Sequence, residues 1–247
     1  MSNELYTSGQ YGRKHPDWHA EHSPWKARRL FDLLSDEWLA TNWPRRRLRV
    51  AEVGCGFGGV LAELCAILEE KGVECQGTGY DISPQAVHEA ALRHPRLRFC
   101  VSDLSDVADR YDLGLIVDVL EHVQDPETLL TQARERFNWL LLHIPLDEHW
   151  YGRLLHGPSY HAYLRSDRGH IHCFTRKQAL ELIQKAGLRV RSWRYTKKGT
   201  ELYRHDPASG RSAPLVYILR LAGMRLFPDL CVRVLGGASL GCLCRAV

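Results

Sequence analysis

The chain has 247 residues, of which 45% are hydrophobic and 25% charged. This is the length and make-up of one large globular α/β domain, and it excludes a disordered chain, a collagen-like repeat and a coiled coil. The net charge of +4 is spread along the chain, too mild for a nucleic-acid footprint, so no nucleic-acid partner is expected. The best apolar run, 215–227, is broken by Arg220 and Arg225, so no integral membrane segment is expected. The first 19 residues lack the apolar core of a secretory signal, and the eight cysteines form no CxxC pair. Both point to a reduced cytoplasm rather than a disulfide framework.

In chain order, Ser23-Pro24 reads as an N-cap with proline in the first turn. The apolar spacing of Trp25, Leu30, Leu33, Leu34 and Trp38 predicts a helix to about residue 40. Strand and helix then alternate. Strands are predicted over 48–53, 73–80, 97–101, 112–119 and 139–144, and helices over 60–71, 84–93 and from 126. That alternation implies a parallel sheet covered on both faces. Residues 146–170, rich in Tyr, His, Gly and Arg, have no clear period and read as irregular. A helix over 175–186, capped by Gly187, and a strand over 188–195 follow. After a polar loop, 197–214, the pattern predicts helix over 215–235 with a break at Pro228, then a closing strand over 238–246.

The sharpest chemical signal is Glu52-Val53-Gly54-Cys55-Gly56-Phe57-Gly58-Gly59, where a strand ends in a glycine turn that opens a helix. Such a turn lets backbone N–H groups approach a ligand closely. Gly54, Gly56 and Gly59 satisfy the GxGxxG pattern of dinucleotide binders, and Asp81 lies 22 residues beyond Gly59, where it can hold a ribose diol. Three features point away from a nicotinamide cofactor. Glu52 places a carboxylate where a cationic ligand fits better than a pyrophosphate. Ser102-Asp103-Leu104 follows the third strand, and Asp118-Val119-Leu120-Glu121-His122-Val123 follows the fourth.

On these segments the chain resembles the class I S-adenosylmethionine (SAM)-dependent methyltransferases over residues 48–195. The resemblance implies a Rossmann-like, mostly parallel α/β sheet of seven strands in the order 3-2-1-4-5-7-6 with helices on both faces, and SAM as cofactor. It places Gly54 and Gly56 along the methionine part of SAM, with Cys55 between them. Glu52 organises the loop or meets the ammonium through water. Asp81 takes both ribose hydroxyls and Ile82 packs on the adenine. Asp103 bonds the adenine amino group, with Leu104 nearby. The Asp118 carbonyl faces the methionine ammonium, with Val119 beside it. Glu121 is expected to face solvent or a structural partner.

The segment from Trp18-His19 to Ser23-Pro24-Trp25-Lys26-Ala27 resembles the lead of a bacterial branch of these enzymes associated with saccharide or secondary-metabolite genes. It implies a single domain over 1–247 in which 1–45 form a helical lid and 146–174 and 197–235 are substrate-side insertions. Trp25 and Lys26 belong either to that lid or to a helix packed on the sheet. His143, near the end of strand five, is the first candidate base, and His170 of Gly169-His170-Ile171-His172 the second. His-x-His can also hold a metal, but no paired acid or cysteine spacing completes a site, so none is expected. The reaction implied is methyl transfer to a small molecule, with a saccharide or secondary-metabolite hydroxyl preferred. Three alternatives stay open: a SAM cyclase or lyase, an NAD-dependent oxidoreductase, and a binding protein that keeps the fold without catalysis.

Overall fold

A computed structural model describes residues 20–34, 38, 47–202 and 214–246. Helix α1 (Ser23–Phe31) leads into β1 (Leu48–Val53), α2 (Gly59–Glu70), β2 (Cys75–Asp81), α3 (Pro84–Arg93), β3 (Arg98–Val101) and β4 (Tyr111–Val117). Then come α4 (Pro126–Arg136), β5 (Phe137–Pro145), α5 (Trp150–His156), α6 (Tyr160–Arg168), α7 (Arg176–Lys185) and β6 (Leu188–Thr196). After a short turn, Lys198–Glu201, the chain ends in α8 (Pro214–Leu226), α9 (Pro228–Leu235) and β7 (Ser239–Ala246).

The strands form one seven-stranded sheet in the order β3-β2-β1-β4-β5-β7-β6. Pairs from β3 to β5 are parallel, while β7 runs antiparallel to both β5 and β6. This is the Rossmann-like topology expected from the sequence. Because side chains alternate across a strand, even and odd positions of β1 feed two cores. Leu48 and Val50 join α1 and α2 on one face, with Leu115, Leu141 and Leu243. Ala51 and Val53 join the other face, with Leu130, Leu142, Ile183 and Cys242. Cys242 and Cys244 are fully buried there, as packing residues.

Local predictions need correction at three points: the start of α1, its end, and the segment 146–170. Ser23 is the first residue of α1 rather than its cap; the cap position is His22, and no side chain caps the helix. The Ser23 hydroxyl instead packs over Gly59, where an added Cβ would meet it at 2.6 Å. The segment read as irregular holds α5 and α6, the first capped by the His149 ring, which accepts from Gly152 N–H at 3.0 Å. The apolar stretch at 215–227 is half core: Val216 and Met224 are buried, whereas Leu215, Ile218, Leu219 and Leu226 face outward. Helix α1 ends at Phe31, short of the expected residue 40, because the chain turns at 32–34; Trp18, His19 and residues 39–44 lie outside the described residues. No helix among the described residues is long and apolar enough to cross a membrane.

Candidate functional site

The carboxyl ends of β1, β2, β4 and β5 meet at one edge of the sheet, where the strand order reverses. Open α/β sheets present ligand crevices there. The loop after β1 turns through left-handed backbone at Gly54 (φ +68°), Gly56 (+51°) and Gly58 (+76°). Gly54 also admits no side chain, because a Cβ would lie 2.5 Å from Val119 Cγ2. Gly54 and Cys55 N–H both donate to Tyr80 O, which fastens the loop to β2.

Glu52 sits beneath this loop, 2% exposed, and accepts from the Leu61 N–H of the first turn of α2 at 3.1 Å. It thereby satisfies a helix N-terminus that lacks a side-chain cap. Burial pushes its pKa up to about 8, against the opposing pull of the Leu61 N–H and Lys26. Asp81 ends β2 with one oxygen on Gly56 N–H (2.9 Å) and the other on Ser83 N–H (2.8 Å). Burial also raises its pKa. Each carboxylate oxygen has a second lone pair, so the pair can still accept two hydroxyls. Ile82 is half-buried next to it, and Asp103 is exposed, its carboxylate accepting from Ser105 N–H. Leu104 points into the core. The Cys55 thiol is buried against Gly79, and burial lifts its pKa.

Asp118, just past β4, takes a left-handed conformation (φ +54°) that is uncommon for a residue with a side chain. Its carboxylate lies between Lys26 Nζ (2.9 Å) and His143 Nδ1 (2.5 Å). Burial alone would raise its pKa; the adjoining His143 ring and Lys26 hold it well below the usual range. His143 therefore does not reach the ligand edge as a base. It is 1% exposed, with Nδ1 taken by Asp118 and Nε2 by the Thr196 hydroxyl at 2.8 Å. Lys26 and Trp25 belong to α1, which the Trp25 and Arg29 side chains tie to Glu201 at 2.7 and 3.0 Å.

Glu121 is not in solvent either. It is 1% exposed and its carboxylate oxygens have no hydrogen-bond partner among the described residues. His122 and His170 close on it: one ligand atom from each of the three lies within 4.8 Å of the others. His170 Nδ1 donates to Asp147 at 2.7 Å. The same histidine borders a cavity of about 540 Å³ lined by Glu148, Arg153, His161, Arg165 and His172. Sequence reasoning missed Lys26 and Thr196 as partners of the Asp118–His143 pair. It also missed the approach of Glu121 to His170, 49 residues downstream, which no local spacing signals.

A family described as methyltransferase domain matches residues 19–192. The chain belongs to the class I SAM-dependent methyltransferases.

Among curated relatives of this methyltransferase, the ubiquinone biosynthesis O-methyltransferase of Azorhizobium caulinodans is 31% identical over 97 residues, 38% of each chain. That of Cereibacter sphaeroides is 32% identical over 102 residues. The latter match spans 40% of this chain and about two fifths of the relative's length. Among solved structures, a plantazolicin methyltransferase in complex with SAH is similar with a TM-score of 0.62 at 16% identity, over 100% of this chain and 94% of that one. The magnesium protoporphyrin IX methyltransferase of Synechocystis PCC 6803 with bound SAH follows at 0.56 and 14%, over 90% and 84%. At these identities the structural likeness concerns the fold.

Proposed function

We propose that this chain transfers a methyl group from SAM to a hydroxyl of a small molecule, a saccharide or secondary metabolite. The observation that carries the cofactor half is the Gly54–Gly58 turn clasped between Glu52 and Asp81. The turn is open at Gly54 only because no Cβ stands there, and Asp81 keeps two acceptor sites at its rim. Gly54, Cys55 and Gly56 hold the amino-acid part, with Glu52, the Asp118 carbonyl and Val119 around it. Asp81 holds the ribose, Ile82 and Asp103 surround the base, and Leu104, whose side chain lies in the core, offers that pocket only its backbone. When bound, SAM supplies a methyl group already activated by its sulfonium.

The protein's own task is then to align the acceptor oxygen, exclude water and take up a proton. Helix α1 serves as the lid, fastened by Lys26 to Asp118 and by Trp25 and Arg29 to Glu201. His143 is a positioning residue that fixes the Asp118 carboxylate and with it the turn after β4. The acceptor occupies the cavity beside His170, which is lined by residues of the segment 146–174 and by Gln178; the segment 197–235 remains the second substrate-side insertion of this reading. The cavity's polar lining, in which Glu148 accepts from Arg153 and His161 and Arg165 stands beside them, suits a polyhydroxylated molecule. With Nδ1–H given to Asp147, His170 offers its other nitrogen to the acceptor's proton. The naming of the curated relatives as O-methyltransferases favours oxygen as the acceptor atom.

Calorimetric titration with SAM, SAH and NAD in parallel tests the reading. Binding of the first two and not NAD is expected, and Asp81→Ala should weaken SAM more than tenfold. Binding of NAD alone would return the glycine turn to a dinucleotide and overturn the proposal. A mass-detected screen of hydroxylated acceptors then separates transfer from cyclase or lyase chemistry on SAM itself.

A further inference from the structure

The end of β4 and the loop before α7 converge on a buried carboxylate whose oxygens accept no hydrogen bond among the described residues. Glu121 is held by its backbone, not its side chain: Ile171 and His172 N–H both donate to its carbonyl, at 2.8 and 3.1 Å. Those two bonds staple the histidine loop to the strand end. The carboxylate itself has no hydrogen-bond partner among the described residues, and buried polar groups are normally satisfied. Burial, with Asp118 and Asp147 nearby, raises its pKa far above the ordinary value.

Two histidines face this carboxylate with matched outer partners. His122 Nδ1 donates to Gly169 O at 3.0 Å, and its Nε2 lies 3.8 Å from Glu121 Oε1. His170 Nδ1 donates to the Asp147 carboxylate at 2.7 Å. A proton fixed at Nδ1 makes the opposite nitrogen a lone-pair donor, and an outer carbonyl or carboxylate of this kind is what orients metal-ligating histidines. The two rings stand edge to face, with centroids 4.9 Å apart.

We propose that Glu121, His122 and His170 bind one divalent transition-metal cation, of the zinc or manganese kind, with open coordination positions toward the acceptor cavity. Ligands about 2.1 Å from a common centre stand roughly 3–4 Å apart, and the three donors already lie within 4.8 Å. Two imidazoles and one carboxylate suit borderline metals better than magnesium or calcium, which favour oxygen ligands. Three protein ligands leave room for a substrate oxygen, as catalytic rather than structural sites do. This last point rests on the methyl-transfer reading: a bound cation would lower the acceptor hydroxyl's pKa so that its proton passes to solvent water, and His170 would then act as a ligand in place of the proton acceptor named above.

The test uses the full chain, stripped with a chelator and titrated with Mn²⁺ by electron paramagnetic resonance and with Zn²⁺ by calorimetry. Binding of a single cation is expected, weakened at least tenfold in Glu121→Gln and in His122→Gln, while SAM affinity stays within twofold of wild type. Absence of binding in the wild type overturns the site. So does wild-type affinity in Glu121→Gln, since the cation would then sit on other histidines. The two readings fail separately, because a chain that binds Mn²⁺ through Glu121 but not SAM overturns methyl transfer and leaves the cation site standing.

Discussion

Asp118 shows how much one residue organises here. Its left-handed backbone turns the chain out of β4, its N–H donates to His143 O at 3.0 Å, and its carboxylate joins α1 to the sheet. Gly54 is equally specific. Gly54→Ala adds a Cβ at 2.5 Å from Val119 on a backbone with φ +68°. Strain of that kind costs about 1–3 kcal/mol, so a lower melting temperature and weaker SAM binding by calorimetry are expected together. Glu52 makes a pH prediction. Its folded pKa of about 8 stands above the ordinary 4.5, so between those values the folded state binds more protons than the unfolded chain. Stability should therefore fall as pH rises through that window. Glu52→Gln should flatten the fall, measured as the difference in melting temperature between pH 5 and pH 8. Glu52, Gly54 and Asp81 were legible in the sequence because their chemistry is local to a strand end. The burial of His143 and of Glu121 was not, since it depends on α1, β6 and the 169–172 loop, all distant in the chain.

Elements tell a similar story about local and distant information. The parallel strands were readable as short apolar runs ended by Gly, Asp or Pro, and the helix starts as Ser83-Pro84, Asp125-Pro126 and Thr175. Each of those three side chains accepts a backbone N–H of its helix's first turn. Thr175 goes further, forming a reciprocal capping box with Gln178. Thr175→Ala should destabilise the protein by about 1 kcal/mol, seen as a shift of the denaturant midpoint. Helices α5 and α6 were missed because their apolar residues are few and their stability comes from tertiary partners, such as the Tyr160 hydroxyl donating to Asp147 O at 2.6 Å. Helix α1 depends on charge as well as packing. Lys26→Met removes its tie to Asp118, and faster amide exchange confined to α1 is the expected result by mass spectrometry.

At the scale of the molecule, β7 decides whether the sheet closes. It fills the gap between β5 and β6 along its whole length, with Leu240, Cys242, Leu243 and Cys244 buried on alternating faces. Without it β5 loses one of its two neighbours and β6 its only one among the described strands. A chain ending at Gly236 should show no cooperative thermal transition by calorimetry, although most of the sequence would be present. The alternation of elements suggested a sheet, whereas the insertion of the last strand between its two predecessors came from family resemblance. No run of apolar residues states which neighbours a strand will take.

That placement also orders events during synthesis. A growing chain can assemble β1 to β5 as they emerge from the ribosome, but β6 arrives before the strand that joins it to them. Until β7 follows, the edge of β5 stays open to any other extended segment, including one from a neighbouring nascent chain. The protein is therefore most exposed to mispairing in the interval between making residue 196 and making residue 239, and a factor that shields sheet edges would matter most there.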